Sequence, residues 1–215
     1  MGFLKSLLLA VTAAGLTALA LAAFAAEPVE GKDYVVISPA MSTDNPGKVE
    51  VTEFFWYGCP HCFHFEPTFN QWIKKQGKDV AIRFIPAPLN PAWTAGAKLY
   101  YALDILGAQE KLRNDIFVAI HNEHQLSPTD ERGFVTWVGK KGVDTTKFSE
   151  ALNSFSLQSK IRRAAQLTNE SKIDGTPSVV VAGKYRIVEP AGMSPEYFMQ
   201  VADALVAKAR KESGK

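Results

Sequence analysis

Residues 54–63 constrain the fold of this chain more than any other stretch. They read Phe-Phe-Trp-Tyr-Gly-Cys-Pro-His-Cys-Phe and hold the only two cysteines, Cys59 and Cys62, where a strand-like run gives way to a helix-like one. Two thiols at this spacing can close a disulfide on each other, and a helix N-terminus can tune their acidity. The stretch therefore predicts a strand-to-helix junction that carries a reactive cysteine pair.

A structural disulfide is the main alternative for these two cysteines. On the chain-entropy model so short a loop gains only about 2 kcal/mol, against about 3 kcal/mol for a loop of roughly 15 residues. A chain of 215 residues can bury a sizeable core and does not depend on such a crosslink. The pair is therefore interpreted as a site of reactivity.

The N-terminal residues have the pattern of a secretory signal. Lys5 precedes an apolar run over residues 7–24, and Ala-Phe-Ala at residues 23–25 offers a small-x-small cleavage site. A signal anchor is the alternative because the run is long enough to span a bilayer, but no stop-transfer flank follows. We expect residues 1–25 to be a signal peptide cleaved near Ala25, and export would place the cysteines in an oxidising compartment.

Strand and helix patterns around the cysteines predict a βαβ unit. Residues 48–57 alternate as a strand, residues 60–75 show helical spacing, and residues 80–85 form a second apolar run. Pro60 suits the first helical position because its missing N–H costs nothing there, and Pro67 should kink the helix.

Glu53 lies on the apolar face of the first predicted strand. This position aims a carboxylate at the core, unless the strand end is wet enough to hydrate it. Burial would raise the pKa of Glu53 and suit it to carry the proton of Cys62. Arg83 is a possible partner for Glu53, but strand alternation leaves that pairing undecided.

A helical block follows this unit. Prolines at 86, 88 and 91 form a linker, after which apolar residues recur at helical spacing to residue 157. His121 and His124 lie three residues apart in the block and are a possible metal pair. Surface polar residues are the better interpretation, because no cysteine or further histidine is nearby.

Strand character returns after another helix over residues 158–171. Residues 178–182 and 185–188 predict a hairpin, and Ser194 with Pro195 caps a last helix. The expected organisation is a signal peptide at 1–25, a core domain whose two parts are 26–89 and 158–215, and an inserted helical domain at 90–157.

A βαβ half, a ββα half and Cys-x-x-Cys at the first strand-to-helix junction resemble the thioredoxin superfamily. Within it, four features resemble the DsbA family of bacterial periplasmic thiol:disulfide interchange proteins. They are Cys59-Pro60-His61-Cys62, the preceding Glu53-Phe54-Phe55, the helical insertion, and Gly175-Thr176-Pro177 before a strand. The resemblance implies an α/β thioredoxin fold with an inserted helical domain, and a protein disulfide oxidoreductase.

The expected mechanism gives the two sulfurs different roles. Cys59, exposed at the helix N-terminus, is attacked by a substrate thiolate, and Cys62 is sheltered and acts as the resolving thiol in the reverse direction. The redox-active disulfide needs no further cofactor. His61 can donate to the Cys59 sulfur and, when protonated, adds positive charge.

The resemblance also implies a cis peptide between Thr176 and Pro177, close to the cysteines. It would expose the backbone of Thr176 to an extended substrate strand, which pairs through main-chain hydrogen bonds. An ordinary trans proline that opens an edge strand is the alternative.

The expected partners are exported proteins with free thiols, and a membrane quinone-linked protein of the DsbB type that re-oxidises the pair. The formal net charge of +2 gives no reason to expect nucleic acid. We expect a periplasmic monomer, because too few residues precede the first core strand to form a dimerisation domain.

Three other functions use the same residues. A disulfide reductase or isomerase differs from an oxidase in redox poise rather than in motif. A copper or zinc carrier would use the cysteines with His61 or His64, which are few soft ligands for a closed site. Haem attachment fails because Phe63 stands where a histidine is required.

Overall fold

The computed structural model describes residues 27–188 and 194–214, so the predicted signal peptide lies outside the described residues. Its strands are β1 (Tyr34–Val36), β2 (Val49–Phe55), β3 (Val80–Pro86), β4 (Ser178–Val181) and β5 (Tyr185–Ile187). Its helices are α1 (Pro60–Ile73), α2 (Thr94–Ile105), α3 (Gln109–His121), α4 (Glu131–Lys140), α5 (Thr145–Leu152), α6 (Phe155–Glu170) and α7 (Pro195–Glu212), with a 3-10 turn at Pro91–Trp93.

The strands form one mixed sheet in the order β1-β5-β4-β2-β3. Strand β2 lies between β3, which is parallel to it, and β4, which is antiparallel. Every residue of β2 is buried, and Glu53 has an exposed fraction of 0%. The prediction that Glu53 points into the core is therefore correct, and hydration of the strand end is excluded.

Helix α1 begins directly after the first cysteine. Cys59 has an extended backbone at the N-cap position and Pro60 occupies the first helical position, as the pattern predicts. Cys62 lies on the buried face with three aromatic side chains, Phe65, Phe69 and Trp72. Packing of this face against the sheet fixes where the helix N-terminus, and so the cysteine pair, lies.

Helices α2–α5 form the predicted helical block between the two halves of the sheet. Their apolar side chains share one core cluster with Phe55, Tyr57, Cys59 and Cys62. Helix α6 begins at Phe155, earlier than the predicted residue 158, because the Ser154 hydroxyl caps it by accepting from the Leu157 N–H at 3.1 Å. The block therefore packs directly against the surroundings of the two thiols.

The fold is the predicted one, a thioredoxin-type α/β sheet with a helical block. Within residues 27–188 and 194–214, no helix is both long enough and apolar enough to cross a membrane.

Candidate active site

The two cysteines lie one helical turn apart and are free thiols in this structure. The exposed fraction is 8% for Cys59 and 0% for Cys62. Cys59 is more accessible than Cys62, as predicted. The prediction that Cys59 is exposed is wrong, because its side chain is buried. Its sulfur lies against the loop before β4, where the thiol donates a hydrogen bond to the Thr176 carbonyl oxygen at 3.2 Å.

The environment of Cys59 favours its thiolate. The pKa of Cys59 falls from its ordinary 9.0 to about 5, chiefly because the Cys62 thiol donates a hydrogen bond to it. The backbone amides of Cys62 and His61 act in the same direction, and burial opposes them. At pH 7 the sulfur is therefore ionised in a reduced protein.

The pKa of Cys62 moves in the opposite direction. Burial raises it most strongly, and the hydrogen bond to Cys59 and the negative charges of Glu53 and Cys59 raise it further. Cys62 is therefore a protonated thiol that stabilises its neighbour, and it can attack only after its proton has been removed.

The structure brings Thr176 and Pro177 to the cysteines from the other half of the chain. The peptide bond between them is cis, as the resemblance implied. Both residues are half-buried. The Thr176 hydroxyl oxygen is buried, and no hydrogen-bond partner for it is found among the described residues.

His61 differs from expectation. Its side chain is exposed, and it is the backbone amide of His61 that contributes, after the larger effect of the Cys62 thiol, to the lowered pKa of Cys59. Within the described residues, no hydrogen bond joins the imidazole to the Cys59 sulfur. The histidine therefore acts on the reduced sulfur through its main chain in this structure.

A buried charged cluster lies behind the thiols. Arg113, from α3, donates to Glu53 Oε2 at 2.9 Å and, through Nε, to Glu66 Oε1 at 2.6 Å. All three side chains are at most 6% exposed. Burial raises the pKa of Glu53 to about 8, while Arg113 lowers it and Glu66 raises it further. Glu53 therefore takes up and releases a proton close to neutral pH.

Arg83 is not the partner of Glu53. In the parallel register Arg83 lies opposite Thr52, whereas Phe84 lies opposite Glu53, so the Arg83 side chain leaves the other face of the sheet. There it contacts Asp44 at 2.8 Å. Strand alternation alone did not decide whether Arg83 pairs with Glu53, and the register shows that it does not.

The helical block also holds the loop between β2 and α1. Trp56 stacks on Trp93 with ring centroids 4.4 Å apart, and His121 Nε2 donates to the Tyr57 carbonyl oxygen at 2.8 Å. Gly58 is needed in this loop, because a Cβ atom there would lie 2.4 Å from the Trp56 ring. The position of Cys59 therefore depends on residues outside the βαβ unit.

The two histidines of the helical block have different surroundings. His121 is half-buried and stacks on Phe63, so its interpretation as a surface residue is wrong. His124 is exposed, as predicted. In the described parts of the chain, no group of three or more His, Cys, Asp or Glu side chains is arranged to hold a metal ion.

Sequence reasoning missed Arg113, Glu66 and Trp93. Arg113 lies three residues before Ile116, on the apolar stripe of α3, and Glu66 lies four residues after Cys62, on the buried face of α1. A charge on an apolar helical face is a signal that the sequence does contain. Opposite charges on two such faces would have indicated a buried ion pair.

The family model of the DSBA-like thioredoxin domain matches residues 50–203. The match spans the sheet from β2, the cysteine pair and the whole helical block. The chain therefore belongs to the DSBA-like thioredoxin family, and the predicted resemblance is confirmed.

Several relatives resemble the chain over nearly its full length. Thiol:disulfide interchange protein DsbA of Burkholderia cepacia is 40% identical over 210 residues, which are 96% of each chain. The protein of the same name from Pseudomonas aeruginosa PAO1 is 35% identical over 212 residues, 99% of this chain and 100% of that one. The crystal structure of P. aeruginosa DsbA has a TM-score of 0.82 and 35% identity, covering 89% of this chain and 99% of that chain. Like these relatives, the chain is a protein disulfide oxidoreductase.

Proposed function

We propose that this protein is a periplasmic dithiol oxidase that donates its Cys59–Cys62 disulfide to newly exported proteins. The observation that carries the proposal is the opposite direction of the two thiol pKa values. The pKa of Cys59 falls to about 5 and that of Cys62 rises. A disulfide whose reduced form is stabilised as a thiolate and a thiol is a good acceptor of electrons, so it is readily passed to a substrate.

The reaction transfers two electrons from substrate to enzyme. A substrate thiolate attacks the Cys59 sulfur of the disulfide, and Cys62 leaves as a thiolate that takes up a proton. A second substrate thiolate then attacks the substrate sulfur of the mixed disulfide and releases Cys59 as a stable thiolate. The substrate gains a disulfide and the enzyme becomes the dithiol.

Thr176 and Pro177 form the proposed substrate contact. The Thr176 carbonyl oxygen lies 3.2 Å from the Cys59 sulfur, so an extended peptide bound to this backbone would place its own sulfur beside Cys59. Recognition of main chain rather than side chains suits many different exported substrates.

The proposal also covers the location of the protein, its oligomeric state, its re-oxidation and its domains. The predicted signal peptide directs the chain to the periplasm, the enzyme acts as a monomer, and the disulfide is its only redox group. A membrane quinone-linked protein of the DsbB type re-oxidises Cys59 and Cys62. The chain is divided into a core domain, at 26–89 and 158–215, and an inserted helical domain, at 90–157.

Disulfide transfer to a reduced, unfolded protein with two cysteines tests this function. Mixed with the oxidised enzyme under argon and with a chelator present, the substrate should lose two hydrogens per disulfide formed. One enzyme dithiol should become available to alkylation for each such disulfide. No transfer to the reduced substrate, together with reduction of a disulfide-bonded substrate by the reduced enzyme, would favour a reductase. Equimolar copper or zinc binding without transfer would favour a metal carrier.

A further inference from the structure

We propose that Arg113, supplied by the helical block, is a positioning residue that holds Glu53 as the proton carrier for Cys62. This inference rests on the proposed function, because it concerns the proton that moves when the Cys59–Cys62 bond opens or closes. It assigns a part in the reaction to a side chain outside both the cysteine motif and the sheet.

The Arg113 guanidinium is held by two carboxylates and two aromatic rings. Its N–H groups donate to the carboxylates of Glu53, in β2, and Glu66, in α1. Its Cζ atom lies 4.1 Å from the ring centroid of Phe55 and 3.9 Å from that of Phe84. The residue is 5% exposed. Because arginine does not lose its proton in proteins, this charge is permanent at every pH at which the enzyme works.

Glu53 has one oxygen occupied and one available. Oε2 accepts from Arg113, whereas Oε1 is buried and no hydrogen-bond partner for it is found among the described residues. Its negative charge acts on Cys62, and the charge of Cys59 acts on Glu53, so the carboxyl group is within electrostatic reach of both thiols. No hydrogen bond joins this oxygen to the Cys62 sulfur among the described residues, so a proton passes between the two groups through one water molecule.

The proton balances the redox step in both directions. During donation, Cys62 leaves the disulfide as a thiolate and takes the proton from the Glu53 carboxyl group. In the reverse direction, Cys62 gives its proton to the Glu53 carboxylate, and its sulfur then attacks Cys59 in the mixed disulfide. The Cys59–Cys62 bond forms, the bond from Cys59 to the substrate breaks, and the electron pair leaves on the substrate sulfur.

Arg113 keeps this proton exchange near neutral pH. Charged or titratable groups from three helices interact with Glu53. They are Arg113 from α3, Tyr100 from α2, and Cys59, Cys62 and Glu66 at the N-cap of α1 or within it. Only Arg113 among them is a cation, and it favours the carboxylate, whereas the Glu66 charge favours the protonated form. Changes at these two positions must therefore move the pH dependence in opposite directions.

The test measures how fast Cys62 resolves a mixed disulfide formed between Cys59 and a small aromatic thiol, across pH 5 to 10. In Arg113→Met the midpoint of this profile should rise by about 1 unit or more, and in Arg113→Lys by less, because a nearby opposite charge shifts a carboxyl pKa by roughly 1–3 units. In Glu66→Gln the midpoint should fall. Glu53→Gln should remove the transition altogether.

Two controls separate a positioning role from a merely structural one. Lys111→Met removes an exposed cation from the same helix and should leave the midpoint unchanged. The pH midpoint of Cys59 alkylation should shift less than that of resolution in every variant. If Arg113→Met does not fold, Glu66→Gln and Arg113→Lys still test the direction of each shift.

The inference is wrong if the pH midpoint of resolution does not move in Arg113→Lys and Glu66→Gln, and these variants only resolve more slowly at every pH or melt at a lower temperature. It is also wrong if the transition persists in Glu53→Gln. Failure of the proposed function gives a different result. In that case the wild-type disulfide does not pass to a reduced substrate, although the pH midpoint of resolution still shifts in the Arg113 variants.

Discussion

Cys62→Ser is expected to trap the enzyme on its partner, whereas Cys59→Ser is expected to lower disulfide transfer to the uncatalysed rate. In the first variant the Cys59 thiolate still attacks a substrate disulfide, but no second thiol is present to release the product. In the second variant the remaining sulfur is 0% exposed and its pKa is raised, so it is neither accessible nor ionised.

Mass spectrometry under non-reducing conditions distinguishes these outcomes. A covalent complex of one enzyme and one substrate should accumulate with Cys62→Ser and disappear on addition of a reductant. The double variant, which carries neither thiol, serves as the blank. Equal amounts of complex from the two single variants would contradict the assignment of Cys59 as the attacked sulfur.

His61→Pro is expected to make the enzyme a weaker oxidant. Proline lacks the backbone N–H that favours the Cys59 thiolate at this position. The Cys62 thiol lowers this pKa more than the His61 amide does, so loss of the amide should raise the pKa of Cys59 by at most about 1 unit. The equilibrium constant with glutathione should change by up to about tenfold toward the disulfide form, which is about 30 mV for two electrons.

His61→Ala is the matched control because it removes the imidazole and keeps the amide. Its effect on the pKa of Cys59, followed by thiolate absorbance, should be smaller than that of His61→Pro. Circular dichroism checks that α1 still forms in both variants, since proline is tolerated in the first turn of a helix. An equal shift in the two variants would show that the imidazole, rather than the amide, controls the sulfur.

Local patterns in the sequence were sufficient for the fold and for the cysteine pair. The period of two along β2 placed Glu53 in the core, and Pro60 marked the start of α1 because its missing N–H costs nothing there. The cysteine spacing, together with Thr176-Pro177 before a strand, indicated the family. Each of these signals lies within a few residues of the element that it predicts.

Contacts between distant elements could not be predicted in this way. Arg113 and Glu53 are 60 residues apart, and only the packing of α3 over β2 brings them together. The same limit applied to Arg83, whose direction depended on the register between β2 and β3. The small exposed fraction of Cys59 likewise arises from the loop at Thr176, which the residues around the cysteines do not reveal.

The equilibrium of the wild-type pair with glutathione, measured from pH 4 to 8, determines whether Cys59 and Cys62 form an oxidising couple. We expect a reduction potential above that of protein disulfide isomerase, about −180 mV, at pH 7. Because the pKa of Cys59 is about 5, the thiolate stabilises the reduced form above that pH and this stabilisation is lost as the pH falls through 5. The potential should therefore fall by about 30 mV per pH unit above pH 5 and by about 59 mV per unit below it. A potential below about −230 mV would show that the pair is not an oxidant, and a slope of about −59 mV per unit across the whole range would show that the Cys59 thiol is not acidic.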